Sequence, residues 1–175
     1  MPTTFARFPS PLGELVLTAS DTALRGVSFP VRRNRSAPEE QSGWVEDDGR
    51  GLTGALLARV RRQLTEYFEG TRTTFDLPLD AAGSAFERRV WDLLRTVPYG
   101  AITSYRELAR RLGDPRATRA VGAANGKNPI PIIVPCHRVV GARGELTGFG
   151  GGLDRKRWLL EHEGALLRLG TAQTN

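Results

Sequence analysis

The segment Asn128-Pro-Ile-Pro-Ile-Ile-Val-Pro-Cys-His-Arg-Val-Val140 constrains this chain more than any other stretch. Its apolar side chains ask for burial, yet Pro129, Pro131 and Pro135 forbid a helix and interrupt any central strand. The expectation is a rigid, extended, buried segment that delivers Cys136 and His137 to a defined place. With 175 residues, 39% hydrophobic and 25% charged, the chain can bury one ordinary core or two small ones sharing an interface. A chain that is nothing but a disordered tail, or a disulfide mini-protein, is excluded. Cys136 is the single cysteine, so no intramolecular disulfide can form, and two histidines do not furnish a Cys/His zinc cage. Neither a metal nor a cofactor is expected.

Upstream, β-rich runs at Thr3–Phe8, Glu14–Ala19 and Leu24–Phe29 are separated by turn formers, Pro9–Gly13 and then Ser20-Asp21, which predicts an antiparallel meander. Residues 31–51 are polar and mixed in charge and read as a surface loop. Leu52, Leu56, Val60, Leu64 and Phe68 form a stripe at intervals of four, an amphipathic helix stopped near Gly70 that covers one face of the sheet. Phe75, Leu77 and Leu79 alternate with other residues and suggest a further strand, and a boundary follows at Ala81–Gly83. Three segments result: an α/β domain over 1–82, a second domain over 83–165, and a tail over 166–175.

Beyond the boundary the punctuation becomes helical. Ser84 with Glu87 and Ser104 with Glu107 both match the Ser-x-x-Glu capping box, predicting helices over about 85–96 and 105–112. Gly113 and Asp114-Pro115 make a turn, and a third short helix runs from about Arg116 to Ala124. Helix, tight turn and helix has the outline of a helix-turn-helix. As a bare pattern it also fits two packed helices carrying solvated arginines. The charge is uneven in the same direction: residues 1–83 hold 10 Arg against 11 acids, while residues 84–164 hold 14 Lys/Arg against 8 acids. The positive field therefore belongs to the second half. Gly148–Gly152 around Phe149 reads as a flexible loop without a phosphate-binding fingerprint, and Leu153–His162 as a closing helix stopped by Gly164. The N-terminus lacks a signal-peptide pattern and no run of 18 apolar residues occurs, so a cytoplasmic protein with no membrane contact is expected.

A lone buried cysteine is most often a small hydrophobe. Its neighbour His137 changes that balance, because a nucleophilic sulfur must be a thiolate and needs a base or a positive charge nearby. Adjacent side chains on an extended segment point to opposite sides, so His137 is expected to reach the sulfur through one water. A basic imidazole needs an acceptor on its other nitrogen; Glu163 and Glu161 at the end of the last helix are both candidates.

These residues resemble the O6-alkylguanine-DNA alkyltransferases. The heart of that family, Pro-Cys-His-Arg-Val, stands at Pro135–Val139. Around it lie Asn128-Pro129, Arg119-Ala120-Val121-Gly122, Pro98-Tyr99-Gly100, Ser104-Tyr105 and His162-Glu163-Gly164, in the family's order and spacing across 84–164. Over 1–83 the resemblance is one of size and arrangement. It implies a small ribonuclease-H-like α/β domain, an antiparallel sheet plus helix, followed by a mostly helical, winged-helix-like domain with the helix-turn-helix.

The resemblance also implies a stoichiometric, irreversible, single-turnover methyltransferase that moves the alkyl group of O6-alkylguanine, and of O4-alkylthymine, in duplex DNA onto Cys136 after flipping the nucleotide. In that reading His137 is the base acting via water, Glu163 orients it, and Asn128 positions the active-site segment. Tyr105 rotates the nucleotide and donates a hydrogen bond to guanine. Arg119 is the finger that fills the stack, and Arg106, Ala117 and Thr118 join Tyr105 at the DNA, with Arg110, Arg111 and Arg116 as further phosphate candidates. Pro131, Val139, Phe149 and Gly150 line the base pocket, Phe149 standing where the family commonly has tyrosine. The expected partner is double-stranded DNA containing O6-alkylguanine, bound by a monomer with room for cooperative assembly on DNA. The alternative is a non-catalytic alkylated-base-binding module of the alkyltransferase-like type, in which the cysteine is replaced. A fused regulator would need further domains, and a cysteine hydrolase would show turnover.

Overall fold

The computed structural model describes residues 2–30 and 43–166, and the chain divides into two compact units at Ala82/Gly83. In the first unit β1 (Thr3–Ser10), β2 (Gly13–Ala19), β3 (Leu24–Ser28) and β4 (Trp44–Glu46) form one sheet in the order β3-β2-β1-β4. The hairpins β1/β2 and β2/β3 are antiparallel, as the turn chemistry predicts. The sheet as a whole is mixed, however, because β4 adds parallel to β1 through Thr3↔Trp44 and Phe5↔Glu46. The end of the predicted 31–51 surface loop is therefore an edge strand; residues 31–42 lie outside the described residues.

Helix α1 (Gly51–Phe68) packs on β1 and β2. Its buried stripe is Leu56, Leu57, Val60, Leu64 and Tyr67, whereas Leu52 is exposed. Together with Phe5, Leu15, Leu17 and Leu24 these side chains make the core of this unit. The strand expected at Phe75–Leu79 is reduced to a single bridge, Leu24↔Leu79. A side chain of α1 takes the backbone groups instead: the Gln63 amide donates to the Asp76 carbonyl at 3.0 Å and accepts from the Asp76 N–H at 2.9 Å, doing with a side chain what a ladder would do.

In the second unit α2 (Ala85–Leu94) starts with a complete capping box: the Ser84 hydroxyl accepts from the Glu87 N–H and the Glu87 carboxylate accepts from the Ser84 N–H, both at 3.1 Å. At Ser104 only half of the predicted box forms. The Ser104 hydroxyl accepts from the Glu107 N–H, but the Glu107 carboxylate turns outward to Arg110. Helix α3 (Tyr105–Arg111) ends at Gly113, whose φ of +87 is easy for glycine alone. The next helix starts later than Arg116. Pro115–Ala117 form a 3-10 turn capped by Asp114, and α4 spans Thr118–Gly126. Helices α3 and α4 pack through Leu108, Ala109, Val121 and Ala124, and Trp91 of α2 donates its indole N–H to the Ala124 carbonyl at 2.8 Å.

A two-strand parallel ladder joins β5 (Thr103–Ser104) to β6 (Val139–Val140). This small ladder places the site, because β5 runs directly into Tyr105 and β6 leaves directly from the Cys136–Arg138 turn. Helix α5 (Leu153–His162) closes the unit with Lys156, Leu159 and Leu160 inward. Among the described residues no helix is long and apolar enough to cross a membrane.

Candidate active site

The proline-rich segment is buried as expected but is not extended. Residues 131–140 are all buried, and the chain coils through them. Val134 N–H donates to the Ile130 carbonyl, Pro135 (φ −81, ψ 65) centres an inverse γ-turn that carries Cys136 N–H back to the Val134 carbonyl at 2.8 Å, and Cys136–Arg138 form a 3-10 turn. Ile132 sits at φ +75, a conformation costly for a β-branched residue, about 1–3 kcal/mol. Asn128 holds this loop from both sides: its Oδ1 accepts from the Ile130 N–H at 3.0 Å and its Nδ2 donates to the Val134 carbonyl at 2.8 Å. Asn125, 2% exposed, adds a longer link, Nδ2 to the Cys136 carbonyl at 3.4 Å. Two asparagines from the end of α4 and the residues just past it thus fasten the backbone around the cysteine.

No direct hydrogen bond joins the Cys136 sulfur to His137 among the described residues. The His137 ring turns instead to Glu163, Nε2 lying 2.7 Å from Oε1 with both side chains fully buried. Arg138 grips the same carboxylate in a fork, Nε to Oε2 at 2.8 Å and the second terminal nitrogen to Oε1 at 2.9 Å, and donates to the Val97 carbonyl at 2.6 Å. Burial alone would raise the Glu163 pKa. The hydrogen bonds and charges of His137 and Arg138 outweigh it and hold the carboxyl well below the usual range. An ionised Glu163 can only accept, so Nε2 carries the proton. Burial also pushes the His137 imidazolium down, against the pull of Glu163, which keeps the ring neutral. Nδ1 is then the lone-pair nitrogen, and among the described residues it has no hydrogen-bond partner.

Burial pushes the Cys136 thiol up to about 11, against smaller lowering effects of Asn128, the Lys156 charge and its own backbone N–H. The resting sulfur is a protonated thiol that needs a base. Tyr105, at the start of α3, donates its hydroxyl to the Thr147 carbonyl at 2.9 Å and more distantly to that of Gly148. Its pKa is raised by burial first, so it keeps its proton at neutral pH.

Pro131 and Val139 are buried on either side of the cysteine in sequence, Phe149 is half-buried and Gly150 exposed on the glycine-rich loop. A side chain at Gly150 would come within 3.9 Å of the Gly126 carbonyl at the end of α4, so this loop and that helix end are neighbours. Arg119 is exposed on the first turn of α4, beside the half-buried Ala117 and Thr118 and the exposed Ala120 and Ala123. Arg106 is exposed on α3, as are Arg111 and Arg116. Arg110 is different: it forms a bidentate pair with Glu107, so its charge is already matched.

Two residues of this site escape a reading of the sequence. In the sequence Arg138 is only the residue after His137, yet it is the second partner of Glu163. Lys156 is fully buried, donates to the Thr147 carbonyl at 2.6 Å and lies 5.9 Å from the centre of the Tyr105 ring. A signal for it exists: Lys156, Leu159, Leu160 and Glu163 share one helical face at spacings of three and four. The phase of Leu159 and Leu160 also selects Glu163 over Glu161.

Both halves of the chain match known proteins. Residues 4–81 match the family model of the 6-O-methylguanine DNA methyltransferase ribonuclease-like domain, and residues 85–165 that of the 6-O-methylguanine DNA methyltransferase DNA binding domain. The methylated-DNA–protein-cysteine methyltransferase of Shigella flexneri is 56% identical over 163 residues, covering 92% of this chain and 95% of its own. That of Mycolicibacterium paratuberculosis is 49% identical over 154 residues, 88% of each chain. The crystal structure of Mycobacterium tuberculosis OGT in complex with DNA superposes with a TM-score of 0.80 at 43% identity over 93% of each chain. With both halves matched and relatives of this identity covering most of its length, the chain belongs to the 6-O-methylguanine DNA methyltransferase family.

Proposed function

We propose that this protein repairs alkylated DNA by direct reversal, moving the alkyl group from guanine O6 in duplex DNA to Cys136 and being consumed in the process. The observation that carries the residue roles is the buried His137–Glu163 pair with Nδ1 left as an unpaired base on the same 3-10 turn as the thiol. The thiol proton passes to Nδ1 across one bridging water, and the imidazolium that forms is stabilised by Glu163. The thiolate attacks the alkyl carbon in line. An S–C bond forms as the C–O6 bond breaks, and the electron pair of that bond leaves with the base. Tyr105, a protonated donor, hydrogen-bonds to guanine and eases that departure. The product thioether has no leaving group that water could displace, hence one event per molecule.

A buried sulfur cannot meet a base inside the helix, so the nucleotide must be turned out of the stack. Arg119 is the finger that takes its place: it is exposed at the start of α4 and makes no ion pair or hydrogen bond among the described residues. Around it Ala117, Thr118, Ala120 and Ala123 keep the helix surface low enough for a narrow groove. Arg106, Arg111 and Arg116 meet phosphates, whereas Arg110, spent on Glu107, contributes less. Pro131, Val139, Phe149 and Gly150 line the base pocket, with a bare aromatic wall at Phe149. The protein acts as a monomer in the cytoplasm. The alternative of a non-catalytic binding module is not favoured, because the acceptor sulfur is present.

The test is mass spectrometry of the intact protein before and after incubation with duplex DNA carrying O6-methylguanine. One added methyl, mapped to Cys136, with one lesion removed per protein is expected; multiple turnover or a methyl elsewhere refutes the reading.

A further inference from the structure

Lys156 is a buried ammonium with no carboxylate partner among the described residues. Its single side-chain hydrogen bond there goes to the Thr147 carbonyl, at 2.6 Å. That carbonyl has two lone pairs, and the second takes the Tyr105 hydroxyl at 2.9 Å. The hydroxyl has one proton. In the structure that proton is committed to Thr147, while alkyl transfer as proposed above requires it at the base.

The loop that Thr147 opens is glycine-rich and exposed at Gly148 and Gly150, with Gly148 at φ +57 and so close to Tyr105 that a side chain there would meet the hydroxyl at 3.3 Å. Within the loop the Gly152 N–H donates to the Phe149 carbonyl at 2.9 Å, and polar anchors fix its two ends. Arg155 fastens one end through the Gly151 carbonyl at 2.8 Å, and the other end is Thr147. If Tyr105 were the sole anchor at Thr147, lending its proton to the base would release the loop that carries Phe149 and Gly150.

We propose that Lys156 is a positioning residue for alkyl transfer: by fastening the Thr147 carbonyl it frees the Tyr105 hydroxyl to change acceptor from Thr147 to the flipped base while the pocket loop stays in place. This inference rests on the reading of Tyr105 as the donor to guanine. The charge-assisted bond is the stronger of the two on that oxygen, so the neutral Tyr105 bond is the one that exchanges. A Lys156 that also pulls electrostatically on the Cys136 sulfur is compatible with the geometry, and the variants below separate the two roles.

The test measures the saturating single-turnover rate constant, and the protein concentration that half-saturates it, on duplex DNA with one O6-methylguanine. The proteins are wild type, Lys156→Met, Lys156→Gln, Tyr105→Phe and the double variants, with melting temperatures taken first. In wild type Tyr105→Phe is expected to cost about tenfold in the saturating rate. In Lys156→Met the rate falls by a similar factor with little change in half-saturation, and adding Tyr105→Phe costs less than threefold more, because the hydroxyl is no longer free to leave Thr147. Lys156→Gln, a neutral N–H donor, recovers most of the loss and restores the full cost of Tyr105→Phe. Equal costs of Tyr105→Phe with and without Lys156 would overturn the proposal, as would an equal loss in Gln and Met, which would assign Lys156 to charge alone. Should Lys156→Met not fold, the Gln background decides: a collapsed Tyr105→Phe cost there is refuting. Wild type failing to methylate Cys136 would sink the proposed function itself; wild type that does so, with additive variants, sinks only the role of Lys156.

Discussion

Replacing Glu163 by glutamine tests the centre of the site, since it changes one oxygen to an NH2 group and little else. The carboxylate is fully buried and accepts from His137 Nε2 at 2.7 Å and from two nitrogens of Arg138 at 2.8 and 2.9 Å. An amide has one acceptor oxygen, so either the imidazole or the guanidinium then faces N–H groups. Arg138, 8% exposed at its side chain, becomes a buried cation with no anion. Breaking a buried pair in this way costs about 3–5 kcal/mol. For a chain of this length each kcal/mol lowers the melting temperature by about 2–4 °C, so Glu163→Gln should melt roughly 6–20 °C below wild type. The pH dependence changes too. Because the folded-state pKa of Glu163 is depressed, its contribution is complete above the unfolded carboxyl value of about 4.3 and is lost as pH falls toward the lowered folded value. Wild type should therefore lose melting temperature between neutral pH and about pH 3 more steeply than Glu163→Gln does. The transfer rate, measured by methyl incorporation at saturating DNA, should fall by roughly 10²-fold or more as the tautomer of His137 is no longer enforced. A variant that melts within 2 °C of wild type at pH 7 and transfers at the same rate would refute the account of Glu163 as both the keystone of the turn and the orienter of the base.

Two further outcomes follow from the geometry. Arg119→Ala should slow transfer from an O6-methylguanine duplex at least tenfold, yet leave reaction with free O6-benzylguanine within about twofold, since only the duplex has a stack to fill; equal losses on both substrates in stopped-reaction assays would remove the finger role. Asn128→Ala deletes the two hydrogen bonds through which its side chain holds the loop containing the left-handed Ile132, so chemical denaturation should show about 2–4 kcal/mol less stability, and unchanged stability would mean the loop does not depend on Asn128.

How far the sequence reaches depends on whether a rule is local. Both capping serines, the stop at Gly113 and the two hairpins are local, and they stand where turn and cap chemistry put them. Strand β4 is a three-residue edge that exists through its distant partner β1, and nothing in Trp44-Val45-Glu46 announces it. The alternation of Phe75, Leu77 and Leu79 is real, with Leu77 buried, but whether it becomes a ladder depends on Gln63 twelve residues upstream of Phe75, whose amide reached Asp76 first.

The proline-rich segment shows the same division inside the site. Three prolines exclude an α-helix and interrupt any strand from sequence alone; no α-helix forms, and a ladder appears only past the last proline, at Val139–Val140. What replaces them is a succession of an Asx-type clasp, a left-handed isoleucine, a γ-turn and a 3-10 turn, and no residue in the run demands it. An extended chain would separate the sulfur and the imidazole by side-chain alternation; the structure separates them on a 3-10 turn, with the ring swung to Glu163. The charged residues were harder still. A lysine or arginine is read as solvated by default, which is right for Arg88 and Arg106 and wrong for Arg138 and Lys156. Their burial becomes legible once phase is imposed: Arg138 lies within a run of eleven buried residues, 130–140, and Lys156 shares its helical face with Leu159, Leu160 and Glu163. A charged side chain on a buried stripe of an otherwise apolar unit has to be matched by something, and here the matches are Glu163 for Arg138 and a single backbone carbonyl for Lys156. The second match is incomplete by one full charge, and the group coupled to it electrostatically that can acquire a negative charge is the Cys136 sulfur, the acceptor in the proposed transfer.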